Sequence, residues 1–118
     1  MLAAVAIATL LFGTSIATAA EANTTGPDPQ AYAKMVDSAV EYLRTSGQAP
    51  DGSFSGSASP AVTALVATAL LRHGRSPDDP MIAKALEYLQ GYVQEDGGIY
   101  NPEGHWRNYE TSLSVLAF

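Results

Sequence analysis

The 118-residue sequence contains no cysteine, and its six basic residues are outnumbered by twelve acidic ones. Without cysteine, disulfides, thiolate metal sites and a cysteine nucleophile are excluded. The net charge is −6 and the lysines and arginines are scattered singly. This pattern argues against binding to nucleic acid or to an anionic membrane surface, because phosphate contacts need clustered basic side chains.

The first twenty residues carry no charge and form a segment of their own. An apolar run from Leu2 to Phe12 is followed by small residues up to Ala20, which is the order of an export signal and its processing site. The run is shorter than the roughly 20 residues that a spanning helix needs. We therefore predict a signal peptide over 1–20, cleaved near Ala19 or Ala20, and an extracytoplasmic location, periplasmic or secreted, in a bacterium.

A retained membrane anchor is the alternative for 1–20, because the basic residue expected ahead of the apolar run is absent. Membrane association is expected only in that case. Residues 21–28 are polar, have no periodicity and form a linker.

Beyond the linker the sequence predicts four helices. Asp28-Pro29, Ser59-Pro60 and Asp79-Pro80 each combine a capping residue with a proline, which is a helix start. Asn108 is expected to cap the fourth helix. The first and third helices carry an apolar stripe on one face, whereas the second is apolar nearly all round. The two stripes are Tyr32, Met35, Val36, Ala39, Val40 and Leu43 in the first helix, and Ile82, Ala85, Leu86, Leu89 and Val93 in the third.

The second pair of helices repeats the first. A shift of 46 residues places Met35 on Met81, and after a two-residue insertion Thr63 falls on Thr111. Self-similarity at such a period is typical of repeat architectures, whose units bury their apolar faces against their neighbours. We predict an all-α fold of two concentric helical layers, with repeat one over about 29–76 and repeat two over about 77–118. The last helical pattern has no stop signal, so we expect repeat two to be truncated and the chain to be the amino-terminal part of a longer protein.

One set of positions in both repeats resembles the signature of the prenyltransferase and squalene–hopene cyclase repeat. The signature combines an aromatic-leucine pair with a glutamine, a glycine and a second aromatic. The matching residues are Tyr42, Leu43, Gln48, Gly52 and Phe54 in the first repeat, and Tyr88, Leu89, Gln94, Gly98 and Tyr100 in the second. The resemblance implies an α/α toroid, of which two of about six helical hairpins are present, around a central cavity that holds the active site in the enzymes.

The residues with which such enzymes do chemistry are not found in this segment. Terpenoid cyclases use an aspartate-rich motif on an inner helix, and neither expected inner helix contains an aspartate. Protein prenyltransferases include a cysteine among their zinc ligands. Together with the predicted export signal, the resemblance implies an exported toroid-repeat protein that binds an unidentified ligand or protein partner in its central cavity. The alternative is a terpenoid cyclase or prenyl-transfer enzyme whose catalytic residues lie beyond residue 118, so enzymatic activity is left open.

The densest cluster of functional groups runs from His105 to Thr111. In the resembling fold, the loop that enters an inner helix opens onto the cavity, and this makes four residues candidates for lining a ligand site: Trp106, Arg107, Tyr109 and Glu110. The alternative is structural. Trp106 and Tyr109 would then fill the interface between repeats, and the polar residues Asn108, Glu110 and Thr111 would satisfy the helix N-terminus.

The sequence predicts no metal site and no cofactor. Asp78 and Asp79 resemble the start of a magnesium cluster, but no third carboxylate follows at helical spacing and Pro80 fixes a helix start. His73 and His105 lie far apart in the sequence, with no third ligand evident.

Overall fold

The computed structural model describes residues 26–55 and 59–118. The predicted signal peptide and most of the predicted linker lie outside these residues. The described part contains four α-helices and a π-helical turn that continues the first of them. They are α1 (Pro29–Tyr42), the π turn (Leu43–Gly47), α2 (Pro60–Arg72), α3 (Pro80–Gln90) and α4 (Arg107–Ala117).

Helices account for the regular structure in 26–55 and 59–118, where the only β pairing is two isolated bridges. The prediction of an all-α fold is confirmed. None of the helices described is both long enough and apolar enough to span a membrane. We refer below to α1, the π turn and α2 as the first hairpin, and to α3 and α4 as the second.

Three helices start as their sequences predict. The side chains of Asp28, Ser59 and Asp79 each accept a hydrogen bond from a backbone N–H in the first turn of the helix that follows. The predicted Asn108 cap of α4 is wrong. This helix begins at Arg107, with Trp106 in the cap position and no capping side chain.

α2 lies at the centre of the packing, against both α3 and α4. Its alanines Ala61, Ala64 and Ala67 are almost completely buried. Most of its surface is covered, as expected for a helix that is apolar nearly all round. Leu65 and Ala69, one turn apart, form an exposed strip.

The two helices with apolar stripes differ in how well they are covered. In α3, Met81, Ile82, Ala85 and Leu89 are all buried. In α1, Val40 is the one buried residue. Val93, predicted to end the stripe of α3, instead lies past the helix in the following turn and is exposed.

The turns after α1 and α3 contain the same set of hydrogen bonds at corresponding positions. The N–H of Ala49 donates to the carbonyl of Ser53, as that of Gln94 does to Gly98. The backbone of Phe54 donates to Thr63 Oγ1 at 3.0 Å, and that of Ile99 to Thr111 Oγ1 at 3.1 Å. The two turns are therefore built alike.

The shared bonds correct the predicted alignment of the turns, because they recur at a spacing of 45 residues and not 46. By these bonds Gly52 corresponds to Gly97, not Gly98, and Phe54 corresponds to Ile99, not Tyr100. The π turn explains the difference. The N–H of Gln48 donates to the carbonyl of Leu43, five residues back, and this wider turn accommodates one additional residue in the first hairpin.

Candidate functional site

Consecutive residues at the start of α4 surround an open pocket of about 560 Å³. They come from the loop that precedes α4 and from its first turn. The lining residues are Gly104, His105, Trp106, Arg107, Asn108 and Tyr109. Trp106 is 68% exposed and Tyr109 52%. Neither fills an interface between the described hairpins, so for these two aromatics the structural alternative is not supported.

The guanidinium of Arg107 lies over an aromatic ring, 4.9 Å from the centroid of Tyr100. The Tyr100 hydroxyl donates to Asp96 Oδ2 at 2.7 Å, and Asp96 Oδ1 accepts from the N–H of Gly98. The hydrogen bond from Tyr100 is the main cause of a lowered pKa at Asp96, and the same bond raises the pKa of Tyr100. This arrangement places a cation on the face of a fixed ring beside the pocket.

Glu110 lies inside the protein and not at the pocket surface. Its side chain is 2% exposed. Oε1 accepts from Ser59 Oγ at 2.7 Å, and Oε2 accepts from the N–H of Asn101 at 2.8 Å. The carboxylate thus connects the N-cap of α2 to the loop before α4. Of the four candidates, Trp106, Arg107 and Tyr109 meet at the pocket, whereas Glu110 has a structural role.

Thr111 also stabilises the loop before α4, through the hydrogen bond from Ile99. Glu110 and Thr111 therefore accept from loop N–H groups and not from the N-terminus of their own helix. The sequence analysis missed the link from Ser59 to Glu110. The pattern of apolar residues gave no signal of it, because two of the three residues on the buried side of α4, Glu110, Ser114 and Ala117, are polar.

The two glutamines of the repeat signature both bridge backbone carbonyls. Gln48 Nε2 donates to the carbonyls of Gly52 and Met81, the latter at 2.7 Å. Gln94 Nε2 donates to the carbonyls of Tyr92 and Tyr100. Gln48 therefore joins the turn of the first hairpin to the start of α3, whereas Gln94 acts within the second hairpin.

The remaining signature positions pack the turns onto the helices. Gly52 has φ +90°, and a Cβ there would collide with the carbonyl of Lys84 in α3. Leu89 and Phe54 are buried, whereas Tyr42 is exposed.

The hydroxyl of Tyr88 lies 3.1 Å from that of Tyr92. Burial, followed by this hydrogen bond, raises the pKa of Tyr88.

The other signature residues lie in the turn of the second hairpin, where Tyr100 is buried and Gly98 lies against its ring. These contacts are structural.

An apolar groove between α1 and α2 was not anticipated as a site. It has a volume of about 320 Å³ and is lined by Met35, Val36, Ala39, Val40, Leu43, Ala69, Leu70 and His73. The apolar stripe of α1 indicated a face that packs against other residues. The sequence does not show which residues of such a stripe are buried and which line a groove.

Of the two aspartates before α3, Asp79 has the predicted structural role. Its carboxylate caps α3 and accepts two hydrogen bonds from the Arg44 guanidinium, at 3.1 and 2.8 Å. The bond from Arg44 is the main cause of a lowered pKa at Asp79. Over 26–55 and 59–118, no three histidine, aspartate or glutamate side chains are placed to hold a metal ion.

The described residues form two helical hairpins, with a pocket lined by aromatic side chains and an arginine at the start of α4. The chain matches no family model, no curated protein and no solved structure.

Proposed function

We propose that this chain is an exported α/α toroid-repeat protein, of the prenyltransferase and squalene cyclase-like type, that binds a ligand at the pocket beside α4. Two features support the toroid: the turns of both hairpins share their hydrogen bonds, and α2 is covered by helices of the second hairpin. The charge-free, apolar residues 1–20 support export.

The binding proposal rests on one observation, the open pocket at which Trp106, Arg107 and Tyr109 meet. A guanidinium donates several hydrogen bonds in a plane that fits carboxylate and phosphate groups. Exposed aromatic rings offer apolar area and stacking at little conformational cost. The ligand class that fits both is a small anion with an apolar or flat part.

Only local groups at the pocket favour such an anion. The protein has a net charge of −6, so its overall field does not attract anions and recognition depends on local groups. Arg107 supplies a positive charge, and Tyr100, held by Asp96, fixes its position. A fixed guanidinium loses less freedom when it binds.

Fluorescence titration tests the proposal directly, because Trp106 is the only tryptophan in the chain. We expect a saturable change with geranyl diphosphate, and a weaker response to inorganic diphosphate or to squalene, each of which supplies half of the required chemistry. Replacing Arg107→Gln should weaken geranyl diphosphate binding about tenfold or more, since hydrogen bonds to charged groups contribute about 1.5–3 kcal/mol.

Arg72→Gln is the matched control, because Arg72 is exposed at the far end of α2. It should leave the titration unchanged, and far-ultraviolet circular dichroism should be the same for both variants. Equal weakening by the two substitutions, or no saturable change with any of the three probes, would refute the proposed site.

Export is tested separately by N-terminal sequencing of protein expressed in a bacterium. A mature chain that begins at Ala20 or Glu21 is expected. A chain that keeps residues 1–20 and is recovered with the cytoplasm would contradict the proposal, whereas recovery with membranes would indicate the anchor.

A further inference from the structure

Tyr100 makes a hydrogen bond with each of its polar groups. Its N–H donates to the carbonyl of Tyr92 at 3.1 Å, and its carbonyl accepts from Gln94 Nε2 at 3.0 Å. Its hydroxyl donates to Asp96 Oδ2 at 2.7 Å. The residue is buried, and its ring lies so close to Gly98 that a Cβ there would collide with it. The ring therefore has little freedom to move.

Tyr100 and Asp96 lie behind the pocket and are not part of its lining, which consists of residues 104–109. The guanidinium of Arg107 lies over the Tyr100 ring, and a ring attracts a cation placed over its face. Asp96 is anchored in turn, because its Oδ1 accepts from the N–H of Gly98 at 3.0 Å. A series of contacts thus connects the turn of the second hairpin with the cation of the pocket.

The first hairpin closes the same turn without a tyrosine. Asp51 corresponds to Asp96 at the shift of 45, and each accepts from the N–H two residues further on, that of Ser53 or Gly98. In the first turn, Asp51 Oδ1 also accepts from Ser53 Oγ at 2.7 Å. In the second turn, Asp96 has its Oδ2 bonded to Tyr100. Because both turns close through the backbone bond, closure does not require the bond to Tyr100.

The ring and the cation occur together in the second hairpin alone. At the shift of 45, the first hairpin has Ser55 in place of Tyr100. The helices that follow correspond at a shift of 48, since their threonine hydroxyls accept equivalent bonds, and Ser59 stands in place of Arg107. The two shifts differ by three, so the loop before α4 is three residues longer than the loop before α2. The repeat itself therefore requires neither the ring, nor the cation, nor the longer loop.

We infer that Tyr100 is a positioning residue for the pocket: held by Asp96, it fixes the Arg107 guanidinium where the anionic group of the ligand binds, without touching the ligand. The inference rests on the proposed function and adds to it a residue that does not line the pocket. A guanidinium pairs with carboxylate or phosphate through two parallel hydrogen bonds, so its orientation matters as well as its charge. Without the hold, the same charge should bind the same anion more weakly.

Fluorescence titration with geranyl diphosphate tests the inference through Tyr100→Phe. This substitution keeps the ring and the net charge, and it removes only the hydroxyl that bonds to Asp96. It should weaken binding about three- to tenfold, as for the loss of one hydrogen bond. Tyr88→Phe is the matched control, because it removes a hydroxyl that bonds to Tyr92 in the same hairpin but does not line the pocket. The control should leave the titration unchanged.

A double substitution shows whether Tyr100 acts through Arg107. Arg107→Gln removes the group that Tyr100 holds, so in that background Tyr100→Phe should weaken binding no further. A merely structural role of the hydroxyl would weaken binding in both backgrounds alike. Losses that add in full would therefore overturn the inference.

Nuclear magnetic resonance reports the position of Arg107 without a ligand. Protons over the face of an aromatic ring are shielded, so the side-chain Nε–H proton of Arg107 should resonate upfield of that of Arg72, which is exposed. Tyr100→Phe should move the Arg107 signal towards that of Arg72, whereas Tyr88→Phe should leave it in place. Far-ultraviolet circular dichroism should be the same for all variants.

Three further outcomes would overturn the inference, and they can be told apart. If Tyr100→Phe changes neither the titration nor the Arg107 signal, the hydroxyl does not hold the guanidinium, while the proposed site stands. If the signal moves but binding is not weakened, the hold plays no part in binding. If the unmodified chain gives no saturable titration, the proposed function fails as well, even where the signal shows Arg107 over the ring.

Discussion

α1 and α3 carry nearly the same apolar stripe, but only α3 is fully covered. Met81 is 3% exposed in α3, whereas the equivalent Met35 is 60% exposed in α1. α3 packs against α2 of the other hairpin. α1 contacts the core mainly through Val36, Val40 and Leu43. The burial of a helix in a repeat is thus set by its neighbours as much as by its own sequence.

The largest effect is expected from truncating the same side chain in both helices. Met81→Ala should lower the free energy of unfolding by about 2–5 kcal/mol, because it leaves a cavity in the core. Met35→Ala should change it by no more than about 0.5 kcal/mol, as for other exposed positions. Urea denaturation at low protein concentration measures both. Equal losses would mean that α1 is as well covered as α3.

Replacing the two equivalent turn glycines should also lower stability by different amounts. Gly52 and Gly97 both have positive φ, but only at Gly52 would a Cβ meet the backbone of Lys84. Gly97→Ala should cost about 1–2 kcal/mol for the strained backbone. Gly52→Ala should cost about 1–3 kcal/mol more, because the turn must move away from α3. Similar thermal midpoints for the two variants would argue against the close contact with α3.

A substitution at Glu110 tests whether stability can be lowered in the protein interior without a change in ligand binding at the pocket. Glu110→Gln replaces one acceptor oxygen by an NH₂ group that faces either Ser59 or Asn101, and it should cost about 1–3 kcal/mol of stability. Binding of geranyl diphosphate at the pocket should remain unchanged. Arg107→Gln is expected to show the reverse pattern. If Glu110→Gln abolished binding without loss of stability, the carboxylate would have to line the ligand site.

The smallest effect should come from the ion pair that connects the two hairpins. The pKa of Asp79 lies below its ordinary value of 3.8, chiefly because of the hydrogen bond from Arg44. Its contribution to stability is therefore present above that value and is lost as the pH falls through the lowered pKa. Asp79→Asn keeps a capping side chain but removes the charge, so its stability should fall less steeply below pH 4. An unchanged slope would show that the pair contributes nothing measurable.

Local signals in the sequence were sufficient for three of the four helix starts. Asp28, Ser59 and Asp79 act within two or three residues of themselves. The start of α4 could not be predicted in the same way. The loop before it is held by Thr111 and Glu110, whose partners lie nine or more residues away. The register of the turns was missed by one residue because the π turn absorbs an insertion within the helical pattern.

The position of the candidate residues at one pocket could be predicted where they are neighbours in sequence. Trp106, Arg107 and Tyr109 meet at one pocket because they are nearly consecutive at the start of a helix. Glu110 is separated from them because the next position of that helix faces α2. The exposure of the α1 stripe could not be predicted from the sequence, because it depends on what lies beside the helix.

The contact of Gln48 with Met81 bears on which parts of the chain open together. The turn at 48–54 is bonded to the start of α3 and lies against the backbone of Lys84, and it is also bonded to Thr63 of α2. α1 precedes this turn and has few buried residues. We expect amide protons of α1 to exchange with solvent well before those of α3, while the turn stays protected. The boundary of cooperative opening would then fall within the first hairpin, at the π turn.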